Sequence, residues 1–84
     1  YEPIWSIGTG KIPTAIELKK ITIHIKKVLK GIVKKSSTSV IYGGSVDGSS
    51  VEMFKEITEI DGFLIGGASK NSKKFIDIIK NYYR

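Results

Sequence analysis

Apolar residues recur at helical spacing in three stretches of this chain and bunch into short β-branched runs between them. Leu18, Ile21, Ile25, Val28, Leu29 and Ile32 fall on one stripe, which predicts a first helix opening at Thr14. Thr14 and Glu17 have the spacing of a capping box, in which hydroxyl and carboxylate satisfy orphan amides reciprocally. Gly31 and the serines Ser36, Ser37 and Ser39 mark the exit. Val40-Ile41-Tyr42 then reads as a short buried strand, cut off by Gly43-Gly44-Ser45. A second helix follows, with Ser49 and Glu52 as another capping box and Val51, Phe54 and Ile57 as its apolar face. Gly62 to Ile65 is a second buried strand ending in Gly66-Gly67-Ala68-Ser69, and a last helix carries Phe75, Ile76, Ile78, Ile79 and Tyr82. Ahead of them all, Tyr1-Glu2 reads as the end of a further strand.

Repeated strand, loop and helix is a βα pattern, and its two diglycines lie 23 positions apart, a reasonable length for one unit. Such units build parallel sheets covered by helices, so the fold class is α/β. Three strands cannot close a barrel, and standing alone they expose sheet edges that invite aggregation. The pattern is that of the end of a larger α/β structure.

Size agrees with this. A globular chain of 84 residues buries little more than half of its unfolded surface, and with no cysteine there is no disulfide to compensate, no thiol nucleophile and no zinc cluster. Beginning at Tyr1 rather than methionine, the chain is expected to be a piece of something longer or a processed product. No run approaches the roughly 20 apolar residues of a membrane span, and residues 1–10 lack the basic-then-apolar order of a signal peptide. The formal charge of +6 gathers in Lys19, Lys20, Lys26, Lys27, Lys30, Lys34 and Lys35. No aromatic or arginine platform is interleaved with them, the one arginine being Arg84, so they read as a solvated helix face. Neither a nucleic-acid nor a membrane partner is expected.

Chemistry is suggested at three strand ends, where α/β folds place their sites. Gly66-Gly67 before Ala68-Ser69 lets an anion approach the backbone, and serves equally well as a tight turn. Tyr42-Gly43-Gly44-Ser45 has the same logic with a hydroxyl added, and two such loops after consecutive strands strengthen the phosphate reading. The third is Tyr1-Glu2-Pro3-Ile4-Trp5-Ser6-Ile7-Gly8-Thr9-Gly10-Lys11. Glu2 by itself is a surface acid. Proline and tryptophan make one stiff end after it, and Gly8 and Gly10 make a mobile tip, the composition of a hinged lid that excludes water.

That eleven-residue run is similar, almost residue for residue, to the signature of the triosephosphate isomerases. Ile41-Tyr42-Gly43-Gly44-Ser45-Val46 and residues 61–69, Asp-Gly-Phe-Leu-Ile-Gly-Gly-Ala-Ser, resemble the next two blocks of that family in order and spacing. The resemblance runs nearly end to end. It implies a partial TIM (β/α)8 barrel, residues 1–84 being the last three β/α units of a single domain whose N-terminal part is absent. It implies interconversion of dihydroxyacetone phosphate and glyceraldehyde 3-phosphate through an enediolate, in glycolysis and gluconeogenesis, in the cytoplasm, with triose phosphate as substrate and no cofactor or metal. By position Glu2 is the base, and Gly8, Ser45, Gly66 and Gly67 give backbone amides to the phosphate. Ile7 and Leu64 close over the carboxylate, where desolvation raises its basicity, and Tyr42 and Ser45 bond the closed lid.

Two departures qualify this. In many family members the tyrosine hydroxyl accepts from an N–H just past the lid; the matching residue here is Pro13, which has none, a loss of about 1 kcal/mol of lid closure. A slightly more open lid is therefore expected. The electrophilic histidine and the lysine and asparagine of the family's first strand have no counterpart, since His24, the one histidine, falls on the helix face with Lys20 and Lys27. The homodimer contacts of the family also lie mainly outside this part. The 84 residues alone are thus expected to be inactive. The alternative is a fragment of a decayed or split gene that retains at most phosphate binding.

Overall fold

The first helix is set by its capping box. In the computed structural model, which describes residues 1–33 and 38–84, the Thr14 hydroxyl accepts from the Glu17 N–H at 3.1 Å and the Glu17 carboxylate accepts from the Thr14 N–H at 3.2 Å. Two orphan donors are satisfied, and α1 runs Ala15–Ile32. Lys34, Lys35, Ser36 and Ser37, named above in the charge cluster and the helix exit, lie outside the described residues.

After α1 come β1 (Ile41–Tyr42), α2 (Ser50–Phe54), β2 (Gly62–Phe63) and α3 (Ser72–Tyr82), with short 3-10 helices at Ile4–Ser6 and Gly67–Lys70. β1 and β2 pair in parallel, Ile41 opposite Gly62 and Tyr42 opposite Phe63. Tyr1 adds one more rung: its ammonium donates to the Ile41 carbonyl and its carbonyl accepts from the Gly43 N–H, each at 2.7 Å. That is the hydrogen-bond pattern of a parallel bridge opposite Tyr42. The sheet thus has two regular strands of two residues each, and the third expected strand is represented by this single bridge.

The core sits on one face of the sheet. Tyr42, Leu18, Phe54, Ile57 and Ile60 form its buried centre, with Phe63, Val46 and Met53 packed against them. Tyr42 and Phe54 rings lie 4.9 Å apart, Phe54 and Phe63 6.0 Å, and Phe63 and Tyr82 5.8 Å, so a run of aromatic contacts ties both strands to α2 and α3. Side chains alternate across a strand, so the neighbours Ile41 and Leu64 point away from this core and are 41% and 53% exposed. The strands are therefore half-buried rather than fully buried, because the core covers only one face of the sheet.

The same holds for the helices. On α1 only Leu18 and Thr22 are buried, and Ile32, in the expected apolar stripe, is 73% exposed. An 18-residue helix is roughly 27 Å long and outruns a sheet two residues deep. On α3 only Ile78 is buried. Among the described residues no helix is long and apolar enough to cross a membrane.

The second capping box differs from expectation. Ser49 makes no side-chain cap bond. Asp47 does the work instead: its carboxylate accepts from the Ser50 N–H at 2.7 Å and the Ser49 N–H at 2.9 Å, while the Ser50 hydroxyl accepts from the Asp47 N–H at 2.9 Å. Asp47 thereby takes the Ser49 N–H that a capping box would give to the Glu52 carboxylate, and the Glu52 N–H donates to the Ser49 carbonyl at 3.4 Å rather than to its hydroxyl. These bonds, the Ser50 N–H foremost, hold the Asp47 carboxyl below the usual range.

One tie joins α1 to the sheet. The Asp61 carboxylate accepts from the Val40 N–H at 2.7 Å and pairs with Lys26 at 3.0 Å. Both contacts lower its pKa, the Val40 amide more. Lys26 thus leaves the solvated cluster, whereas Lys19, Lys20, Lys27, Lys30 and His24 are exposed as expected.

Candidate functional site

Three loops meet at the carboxyl ends of the strands. The first, between the buried prolines Pro3 and Pro13, folds on itself. Pro3 leads into the 3-10 turn Ile4–Ser6, closed by the Ser6 N–H on the Pro3 carbonyl at 2.9 Å. The Thr9 hydroxyl donates to the Trp5 carbonyl at 2.8 Å and accepts from the Lys11 N–H at 3.1 Å. Reversing the chain within so few residues needs left-handed backbone, and Gly8 and Gly10 provide it, with φ of 68° and 77°.

The second loop, after β1, is locked to the first through Ser6, which is fully buried. The Ser6 Oγ donates to the Lys11 carbonyl at 2.5 Å, accepts from the Ser45 N–H at 3.0 Å and lies 2.9 Å from the Tyr42 hydroxyl. A serine hydroxyl has one proton, and the Lys11 carbonyl can only accept it. Tyr42 must therefore be the donor to Ser6, and the Ser6 oxygen has its one donor and both acceptor positions filled. Burial pushes the Tyr42 phenol up. The Ser45 hydroxyl in turn donates to the Ser6 carbonyl at 2.5 Å and accepts from the Gly10 N–H at 3.1 Å. Lid and loop are thus joined from both arms, and the tyrosine whose partner Pro13 cannot supply is bonded to a side chain instead.

This packing explains why Gly44 has no side chain. A Cβ there would run into the Tyr42 hydroxyl and stand 2.6 Å from the Ser6 Oγ. Its neighbour Gly43 is covered by Glu2, whose Cγ would stand 2.7 Å and Oε1 3.0 Å from an added Cβ.

The third loop, after β2, carries Gly66 and Gly67. The Ser69 hydroxyl donates to the Gly66 carbonyl at 2.6 Å, and a Cβ on either glycine would meet nothing within 4 Å. These glycines border open space. That space is a cleft of about 970 Å³, lined by Ile7, Gly8, Gly10, Gly43, Gly44, Ser45, Gly66 and Gly67 together with residues of α3.

The structure therefore brings Gly8, Ser45, Gly66, Gly67 and Ile7 to one cleft. Tyr42 lies beneath it, holding the lid. Glu2 is exposed and folds across Gly43 in the cleft wall. Ile7 and Leu64 are each 53% exposed, so neither is sealed over the carboxylate. One amide is engaged: the Ser45 N–H is held by Ser6. Lys74, Asp77, Asn81 and Arg84 also line the cleft. They carry one net positive charge, which Asp47 on the same lining cancels. Their spacing of three, four and three places them on one face of α3 and its extension, a helical signal readable from sequence but masked by the apolar stripe beside it. Ser6 is the other residue that sequence reasoning passed over; a hydroxyl amid apolar and glycine residues was its only signal.

Comparison with known proteins agrees in extent with this arrangement. The model of the family described as triosephosphate isomerase matches residues 1–82. A triosephosphate isomerase of Chlamydia abortus is 39% identical over 87 residues, covering 100% of this chain and 34% of its own length. One of Psychrobacter cryohalolentis is 44% identical over 79 residues, covering 93% of this chain and 29% of its own. A chloroplastic one of Arabidopsis thaliana is 42% identical over 85 residues, covering 96% and 27%. The chain spans about a third or less of the length of the curated relatives it matches.

Proposed function

This chain belongs to the triosephosphate isomerase family, and from that premise we propose that it forms the last three β/α units of a (β/α)8 barrel that interconverts dihydroxyacetone phosphate and glyceraldehyde 3-phosphate. The observation that carries the reading is the convergence of Gly8, Ser45, Gly66 and Gly67 on one cleft, with Glu2 lying across its wall at Gly43.

Glu2 takes a proton from the carbon next to the carbonyl, and the electron pair of that C–H bond passes to the carbonyl oxygen as an enediolate forms. The same carboxyl returns the proton to the former carbonyl carbon, and the hydroxyl proton passes to the former carbonyl oxygen, so that the carbonyl moves by one carbon. Backbone amides around the cleft hold the phosphate, with no cofactor or metal taking part. Closure of Ile7 and Leu64 over Glu2 removes water from the carboxylate and raises its basicity. The developing oxyanion needs a donor that these 84 residues do not supply, because His24 is exposed on α1. A missing electrophile costs on the order of 10²–10³ in rate, so the chain alone is inactive and the other half of the site comes from the preceding units of the barrel. The exposed apolar side chains Ile32 and Ile41 support this, as surfaces such units would cover. The complete protein acts on triose phosphate as a cytoplasmic homodimer.

The test is a graft of these 84 residues in place of the matching stretch of the Chlamydia abortus isomerase. The graft should turn over triose phosphate, and Glu2→Gln should lower its kcat by about 10²–10⁴. An unchanged kcat in the variant overturns Glu2 as base. A graft that folds and binds but never turns over favours a decayed copy.

A further inference from the structure

The two glycine loops of the cleft are spaced first by the sheet beneath them, since β1 and β2 are paired where the loops begin. A second tie lies farther out. The side-chain amide of Asn81, near the end of α3, donates to the Gly48 carbonyl at 2.5 Å. It is the one hydrogen bond among the described residues that joins α3 to the loop after β1. We infer that Asn81 is a positioning residue whose bond to Gly48 fixes the loop carrying Ser45 relative to the loop carrying Gly66 and Gly67, and so sets how well the cleft fits a phosphate. The inference rests on the phosphate reading above.

The parts on either side of this bond are stiff. On one side the Ser69 hydroxyl donates to the Gly66 carbonyl at 2.6 Å, and the Asn71 side chain caps α3 by accepting from the Lys74 N–H at 3.0 Å. The Gly66-Gly67 loop therefore runs into an 11-residue helix without a slack joint, and that helix carries Asn81 across to the other loop. On the other side Gly48 follows Asp47, whose carboxylate holds the Ser49 and Ser50 amides, so Gly48 moves with the start of α2. The approach is close: a Cβ on Gly48 would stand 3.1 Å from the Asn81 Nδ2 and 3.4 Å from the Asp77 Cβ. Asn81 is itself anchored through its backbone carbonyl, which accepts from the Lys55 Nζ at 3.1 Å. Helix propensity does not call for this residue, since alanine is the better helix former. What asparagine adds at the position is a donor directed at a loop carbonyl.

The test uses the graft into the complete Chlamydia abortus isomerase described above. Inorganic phosphate is titrated into it by calorimetry, KM and kcat for triose phosphate are measured beside it, and circular dichroism checks that each variant stays folded. Asn81→Ala should raise the phosphate Kd about 5-fold, the value of one neutral hydrogen bond. It should raise KM by a similar factor, with a smaller change in kcat, as loss of ground-state binding does. Asn81→Leu keeps the bulk without the donor and should match it, which guards against an unfolded Asn81→Ala. Gly48→Ala, whose methyl crowds the Asn81 amide, should move Kd the same way. Combined with Asn81→Ala it should weaken binding no further, because both changes act through one bond. Lys55→Met loosens the same end of α3 without touching Gly48, so it should lower the melting temperature and leave Kd and KM unchanged. A wild-type Kd in a folded Asn81 variant, multiplying effects in the double variant, or an equal rise in Lys55→Met overturns the positioning role and leaves the phosphate reading intact. A folded graft that neither binds phosphate nor turns over overturns the phosphate reading, and this inference with it.

Discussion

Gly44→Ala isolates the close approach at the centre of the site. Gly44 has negative φ, since the positive-φ glycines are Gly8 and Gly10 alone among the described residues, so alanine suits its backbone. The penalty is purely steric: the new methyl runs into the Tyr42 hydroxyl and stands 2.6 Å from the Ser6 Oγ. Neither neighbour has room to retreat, because Tyr42 is 1% exposed and its ring lies 4.9 Å from that of Phe54. Overpacking costs about 1–3 kcal/mol, and parting the buried Tyr42–Ser6 pair about 1–3 kcal/mol more. The expected loss is about 2–5 kcal/mol, against a total of roughly 4–13 kcal/mol for a chain of this size. The matched control is Gly31→Ala near the end of α1, where an added Cβ meets nothing within 4 Å. Helix propensity makes that change neutral or stabilising by under about 1 kcal/mol. Urea denaturation followed by circular dichroism and by Trp5 fluorescence measures both. A Gly44→Ala midpoint equal to that of Gly31→Ala would refute the crowding argument.

Asp61→Ala should destabilise by about 1–3 kcal/mol because it orphans the Val40 N–H, whereas Lys26→Ala should cost under about 1 kcal/mol, its partner being partly exposed; equal costs in thermal melts would show that the ion pair, not the amide bond, matters. Asp47 and Asp61 both have lowered pKa values, so their contribution is fully present above the ordinary carboxylate value near 3.8 and is lost as pH falls through the folded values. Melting temperature should therefore hold from neutral pH down to about 5 and drop below about 4, and Asp47→Asn with Asp61→Asn should flatten that drop.

What could be read from the sequence follows how local each interaction is. The Thr14–Glu17 box is complete within four residues and stands as expected. The start of α2 was misread because Ser49 and Asp47 both offer acceptors, and only the geometry decides between them. Strand positions were legible from the diglycines that end them, but burial was not: whether Ile41 or Ile32 is covered depends on what packs on the far side, which no periodicity records. The glycines of the cleft were found because a phosphate reading and a turn reading select the same residues. Ser6 was not, since its importance comes from Lys11, Tyr42 and Ser45, the last of them 39 positions away.

Tyr42 joins almost everything described here. Its backbone pairs with Phe63 on one side and is bridged to Tyr1 on the other, its ring rests on Phe54, and its hydroxyl reaches Ser6. Mechanically it is a strut with one end in the core and the other in the lid. A fluorine label on this ring would consequently sense core melting and lid release at a single nucleus, and the order in which the two signals change on heating would give the sequence in which the structure comes apart.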